Sequence, residues 1–234
     1  TDAVAGVPAI EVFLYDAAEG ELRCVSCNPT GARPTGRALR DESDISTTFQ
    51  AAARIPGWPT DPERVCTSDE SLHWKKLPES LVIVGGGVIG CEFACMMQPF
   101  GVRVTVVEMM PKLLPNLDVA LADGLEKTFT KRGITCFTGV KIEEMAATAT
   151  GVRARLSNGQ TIEAEKALVA TGRRPNTADL GIESVGLTAD RGFVRVNEFM
   201  ESAVKGYYCI GDANGRCLLA HAASAHGVVA VENA

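Results

Sequence analysis

Leu81-Val82-Ile83-Val84-Gly85-Gly86-Gly87-Val88-Ile89-Gly90 changes character halfway along. Four apolar residues in a row read as a strand buried on both faces. The glycines that follow have the spacing G-x-G-x-x-G, and from Cys91 to about Gln98 the residues suit a helix. Val102-Arg-Val-Thr-Val-Val107 is a second apolar strand, and it ends in an acid, Glu108. Pro99 sits where the helix should finish; by removing a backbone donor it is expected to shorten or kink that helix.

A single G-x-G-x-x-G is weak evidence in a chain with 23 glycines, so its setting decides. Here a strand precedes it, a helix follows it, and Glu108 lies 21 residues beyond Gly87. In that register an acid at the tip of the second strand accepts hydrogen bonds from the adenine ribose hydroxyls of a dinucleotide. Each glycine then has its own physical reason: Gly85 permits the tight turn, Gly87 lets the backbone approach the pyrophosphate, and Gly90 allows helix and strand to pack closely. The helix N-terminus, opening with Val88 and Ile89, receives the phosphates. The alternative is a glycine-rich turn with no ligand, and the acid in register argues against it. Glu108 would also face a 2'-phosphate, and Met109-Met110 offers no cation in its place. NAD is therefore expected in preference to NADP.

Outward from this centre, Asp118 to Arg132 reads as a second helix, with Leu117, Leu121, Leu125 and Phe129 every four residues and Gly133 just past its end. Ile134-Thr-Cys-Phe137 supplies another strand. Gly151 to Leu156 and Thr161 to Ala164 flank Asn158-Gly159, a tight-hairpin signal, and read as an antiparallel insertion. Lys166 to Thr171 is a further buried strand, closing on Gly172. The fold class is α/β, a Rossmann-like dinucleotide-binding domain with an antiparallel β insertion. Towards the N-terminus, Glu11 to Tyr15 and Glu21 to Val25 read as a hairpin whose pattern resembles a blade edge of a bacterial β-propeller. Residues 35 to 50 read as a linker, and Ser68 as the N-cap of a short helix ending near Pro78.

Composition sets the outer limits. The chain has 234 residues, 46% hydrophobic and 22% charged, the profile of a packed globular protein. No apolar run reaches the roughly 18 residues of a membrane helix, and a net charge of -6 gives no footprint for phosphate backbones. Neither membrane nor nucleic acid is expected as a partner, and a cytoplasmic location is expected. The eight cysteines are expected to be mostly reduced thiols. Cys24 and Cys27 form a C-x-x-C, but the three histidines lack the spacing to complete a zinc site, and Asn28-Pro29 after it is turn chemistry. No metal site is expected.

Taken together, residues from about Ile55 to Ala234 resemble the pyridine nucleotide-disulfide oxidoreductases, and among them the dihydrolipoyl dehydrogenase branch. The resemblance rests on residues 81 to 94, Val104 to Glu108, Ala170 to Asn176, Tyr208 to Ala213 and Leu219 to Ala223. It implies NAD and FAD as cofactors, and a lipoyl domain of 2-oxo acid dehydrogenase complexes as a partner. By the same resemblance Gly172 belongs to the nucleotide site. Asp212 would bond the flavin's ribityl and phosphate region, and Leu219, Ala220, His221 and Ala222 would lie along the isoalloxazine. Glu92 would look toward the nicotinamide carboxamide, although the helix dipole alone also favours a carboxylate near a helix start. The implied organisation is a foreign-looking hairpin and linker over 1–54, a connecting segment over 55–80, an NAD-binding domain over 81–192 and the C-terminal part of an FAD domain over 193–234.

Three family features have no counterpart in these 234 residues: the C-x-x-x-x-C redox disulfide, a first G-x-G-x-x-G for FAD, and the dimerisation domain with its His-Glu pair. No residue is therefore assigned a catalytic role. The chain alone is expected neither to hold FAD firmly nor to oxidise dihydrolipoamide. A mercuric or glutathione-type reductase and a non-catalytic NAD-binding module are the alternative readings.

Overall fold

The computed structural model describes residues 13–16, 21–24, 51–52, 55–59, 61–175, 177 and 180–234. The linker expected over 35–50 lies outside these residues, and so does Cys27 of the C-x-x-C. Strands β1 (Phe13–Asp16) and β2 (Glu21–Cys24) form the expected antiparallel hairpin, with Phe13 opposite Cys24. The two-residue strands β3 (Ala51–Ala52) and β12 (Arg173–Arg174) pair with each other. The chain divides into two compact units, Ala52–Arg173 on one side and Thr1–Ala51 with Arg174–Ala234 on the other.

The first unit is built on a parallel sheet. In chain order it contains β4 (Val65–Thr67), the short helix α1 (Ser68–Ser71), β5 (Ser80–Val84), α2 (Val88–Met97), β6 (Arg103–Glu108) and α3 (Val119–Lys131). Next come β7 (Thr135–Thr138), β8 (Ile142–Ala147), β9 (Val152–Leu156), β10 (Thr161–Ala164) and β11 (Lys166–Val169). The parallel sheet has the order β4-β11-β5-β6-β7, and β8, β9 and β10 form a separate antiparallel sheet. Val84 pairs with Val107 and Val169, so the chain ends of the three central strands lie level.

Side chains on a strand alternate between faces, and the two faces of this sheet carry two separate cores. Leu81 and Ile83, Val104 and Val106, and Leu168 pack with Phe93 and Met97 of α2 and with Phe129 of α3. Val82 and Val84, Val107, Ala167 and Val169 pack instead with Ile142, Met145, Val152 and Leu156 of the antiparallel sheet. Burial on both faces is why the central strands read as continuous apolar runs.

Several local expectations are amended. Helix α1 is capped by Thr67 rather than Ser68, in a capping box closed by Glu70 accepting from the Thr67 N–H at 2.6 Å, and it is four residues long. Helix α2 stops at Met97, and the 3-10 turn Gln98–Phe100 around Pro99 ends on Gly101 at φ 85°. Asp118 caps α3, accepting from the Ala120 N–H at 2.8 Å. The leucine stripe of α3 is buried only at its C-terminal end: Phe129 is inaccessible whereas Leu121 is 63% exposed.

The described residues from Arg174 onward form two small clusters. Ile182, Leu187 and Val194 make one, and Met200, Tyr208 and Ala230 the other. Regular structure is sparse: a 3-10 turn at Ile182–Val185, another at Gly211–Asn214, isolated bridges, and helix α4 (Ala220–Glu232). Cys209 lies between a bridge at Tyr208 and the second turn.

Candidate functional site

The strand-to-helix turn from Gly85 to Gly90 lies at the C-terminal edge of the parallel sheet, where β5 passes into α2. Gly85 has φ 108°, and a Cβ there would stand 2.5 Å from the Ala170 carbonyl oxygen, so both conformation and space demand glycine. At Gly90 a Cβ would meet the Gly85 carbonyl oxygen at 2.0 Å, which is the close helix–strand approach expected of it. Gly87 differs from both. Its φ of -73° is open to any residue, and nothing lies within 4 Å of where its Cβ would be. Within the protein, neither backbone strain nor crowding accounts for a glycine at this position.

Gly87 is the N-cap of the ten-residue helix α2, and the first N–H groups of a helix have no partner inside it. They form an electropositive end suited to an anion. Val88 is exposed beside that end and Ile89 is half-buried. Glu92 is exposed and is the fifth residue of the helix, past the first turn, so the dipole does little to explain it.

Glu108 lies at the end of β6 and is 7% exposed. Its Oε2 accepts from the Gly86 N–H at 2.6 Å and its Oε1 from the Met110 N–H at 2.7 Å. The carboxylate thus lies against the glycine turn, with a lone pair on each oxygen still available to a hydroxyl. Lys112, the next cation along the chain, is paired with Asp123. Gly86, Cys91, Leu113 and Leu114 also meet at the turn, and their residue types and spacing carry no signal of it. The Cys91 Sγ donates to the Gly86 carbonyl at 3.3 Å, the Leu114 N–H donates to it at 2.8 Å, and Leu113 is fully buried against Gly86. Only a contact between residues 28 apart reveals the part played by Leu114, and no short-range pattern encodes it.

At the far end of β11, Ala170 and Thr171 pack on Gly85 and lead into Gly172. Gly172 is exposed at φ 127°, a conformation that requires glycine whatever its surroundings. Arg173 Nη1 then donates to Asp69 Oδ1 at 3.2 Å and Ser68 Oγ at 3.4 Å.

In the other unit, Asp212 is half-buried in the 3-10 turn Gly211–Asn214. That turn is held by His226 Nδ1, which accepts from the Gly211 N–H at 3.3 Å. Leu219 is the N-cap of α4, and Ala220, His221 and Ala222 form its first turn, with His221 exposed.

Three of the described thiols are held in the protonated form. Burial pushes Cys91 up to about 12, with Cys136 and Cys95 adding to the effect, and pushes Cys136 to about 11 and Cys209 to about 12. Among the described residues no group of His, Cys, Asp or Glu could hold a metal ion, and no helix is long and apolar enough to cross a membrane.

Comparison with known proteins agrees with this geometry. A family profile described as "Pyridine nucleotide-disulphide oxidoreductase" matches residues 48–227. The chain is 38% identical over 200 residues to a dihydrolipoyl dehydrogenase of Chlorobaculum tepidum, covering 84% of this chain and 43% of that protein. It is 39% identical over 194 residues to the dihydrolipoyl dehydrogenase of Bacillus subtilis, covering 81% and 41%. Among solved structures, LpdA of Mycobacterium tuberculosis superposes with a TM-score of 0.73 at 33% identity, covering 79% of this chain and 41% of that one. The chain spans about two fifths of the length of these relatives.

Proposed function

The chain belongs to the pyridine nucleotide-disulphide oxidoreductase family, and from that premise we propose that its Gly85–Gly90 turn holds the pyrophosphate of NAD(H). The observation that carries this reading is Gly87. A glycine that neither backbone nor packing requires, at the N-cap of a helix, leaves room for a ligand atom at the positive end of the dipole. Glu108 would accept the adenine ribose hydroxyls, and Glu92 and Gly172 would line the nicotinamide side. The turn, the acid and both neighbouring strands fit a dinucleotide. The domain that binds it is proposed to run over 81–192.

Bound NAD would supply a hydride acceptor. The residues of this chain bind and orient it: the α2 N–H groups neutralise phosphate charge, and Glu108 selects an unphosphorylated ribose. FAD is the second proposed cofactor. Asp212 and Leu219 to Ala222, over a proposed flavin segment of 193–234, would contact one part of it. The proposed parent activity is oxidation of dihydrolipoamide, presented on a lipoyl domain, with NAD as final acceptor. A reducing, cytoplasmic setting belongs to the same proposal, and Cys66, Cys91, Cys95, Cys136, Cys209 and Cys217 are free thiols.

Glu108 and the pairing of Lys112 with Asp123 support NAD over NADP, because a 2'-phosphate would meet a carboxylate and no unpaired lysine beside it. Calorimetric titration of the chain is expected to give NAD an affinity at least about tenfold above that of NADP. Equal or tighter NADP binding would overturn the assignment.

A further inference from the structure

Gly86 is the position that the G-x-G-x-x-G pattern leaves open, yet both peptide groups that flank it are held. Its N–H donates to Glu108 Oε2 at 2.6 Å. Its carbonyl accepts from the Leu114 N–H at 2.8 Å and from Cys91 Sγ at 3.3 Å. The Glu108 carboxylate is fixed in turn by the Met110 N–H on its other oxygen, at 2.7 Å, so it cannot swing away without leaving an amide unpaired. Leu114 makes its bond from the left-handed region, at φ 49°, a conformation that a leucine keeps only where its surroundings impose it. Cys91 is 5% exposed, and burial keeps its thiol protonated at physiological pH, so the sulfur is a donor.

A trans peptide is planar, with its C=O and N–H on opposite sides. The chain has no cis peptide bond among its described residues. Drawing the Gly86 carbonyl inward to Leu114 and Cys91 therefore aims the Gly87 N–H the other way. We propose that Cys91 and Glu108 are positioning residues: Glu108 clamps the Gly85–Gly86 peptide and Cys91 the Gly86–Gly87 peptide that follows it, so that the Gly87 N–H already faces the pyrophosphate position before the dinucleotide arrives. Glu108 thereby joins loop order and cofactor choice in one carboxylate. The clamp rests on the dinucleotide reading of the turn given above.

The test uses the whole chain, labelled with 15N, with amide exchange followed in the ligand-free state and NAD and NADP affinities measured by calorimetry. The unsubstituted chain is expected to show a slowly exchanging Gly86 amide without ligand; rapid exchange there would overturn the clamp. Cys91→Ala is expected to weaken NAD binding about fivefold, and Cys91→Ser, which restores a donor, to return it to within about twofold. If Cys91 merely filled space, the apolar alanine would bind as well as the serine or better, and that order would overturn its role. Glu108→Gln keeps one acceptor but sets an NH2 group against an amide. It is expected to speed exchange at Gly86 or Met110 and to lower the affinity for both cofactors. A Glu108→Gln chain that gained NADP affinity with Gly86 still protected would show that the carboxylate does not brace the loop. Failure of the unsubstituted chain to bind NAD overturns the dinucleotide reading together with the clamp, whereas wild-type affinity in Cys91→Ala overturns the clamp alone.

Discussion

Two glycines of one turn separate ligand space from protein packing. At Gly90 an added methyl would lie 2.0 Å from a backbone oxygen that has little freedom to move, whereas at Gly87 it would meet nothing. Gly90→Ala is therefore expected to destabilise the fold by about 2–3 kcal/mol. Gly87→Val is expected to cost about 1 kcal/mol at most, as a poorer N-cap, and yet to abolish NAD binding. Thermal unfolding of both variants alongside NAD calorimetry checks the pair. A Gly87→Val chain that bound NAD like its parent would remove the phosphate-loop assignment. The three glycines and Glu108 were legible in the sequence because their spacing is fixed by local geometry. The second use of Glu108, as acceptor from the Gly86 and Met110 amides, was not, since it depends on how the segment after β6 folds back over the turn.

Among the elements, burial separates residues that the same period had made equivalent. Leu121 and Phe129 both belong to the four-residue stripe of α3, but Phe129 is inaccessible in the core beside α2 and Leu121 is 63% exposed. Phe129→Ala is expected to cost about 3–5 kcal/mol and Leu121→Ala about 0.5 kcal/mol or less, as read by denaturant unfolding. Equal costs would show that the stripe is buried along its whole length. Strands β5, β6 and β11 were legible because burial on both faces leaves an unbroken apolar run. Strands β4 and β8 are among those the sequence did not reveal, for physical reasons. β4 contributes only three residues, Val65–Thr67, at a sheet edge, too few for any period to show. In β8 the pair Glu143-Glu144 breaks the alternation at the register shift between Ile142 and Glu144, so its buried Ile142 and Met145 fall out of the period of two.

For the whole molecule, the described residues from Ala52 to Arg173 hold the parallel sheet, both of its cores and the glycine turn. The antiparallel sheet covering one face was legible as a hairpin from Asn158-Gly159, where Gly159 has φ 84°, but its third strand was not. The Asp212 turn and the start of α4 lie in the other unit, and there the family motifs spoke more clearly than any periodicity, because the described residues between Arg174 and Leu219 have little regular structure to betray itself by pattern. The central claim is that a dinucleotide binds at the Gly85–Gly90 turn. Titrating NAD into the 15N-labelled chain and following amide shifts tests it most directly. Saturable shifts are expected at Gly85 to Gly90, at the residues around Glu108 and at Gly172. Shifts confined to residues outside that turn, or none at millimolar NAD, would contradict it.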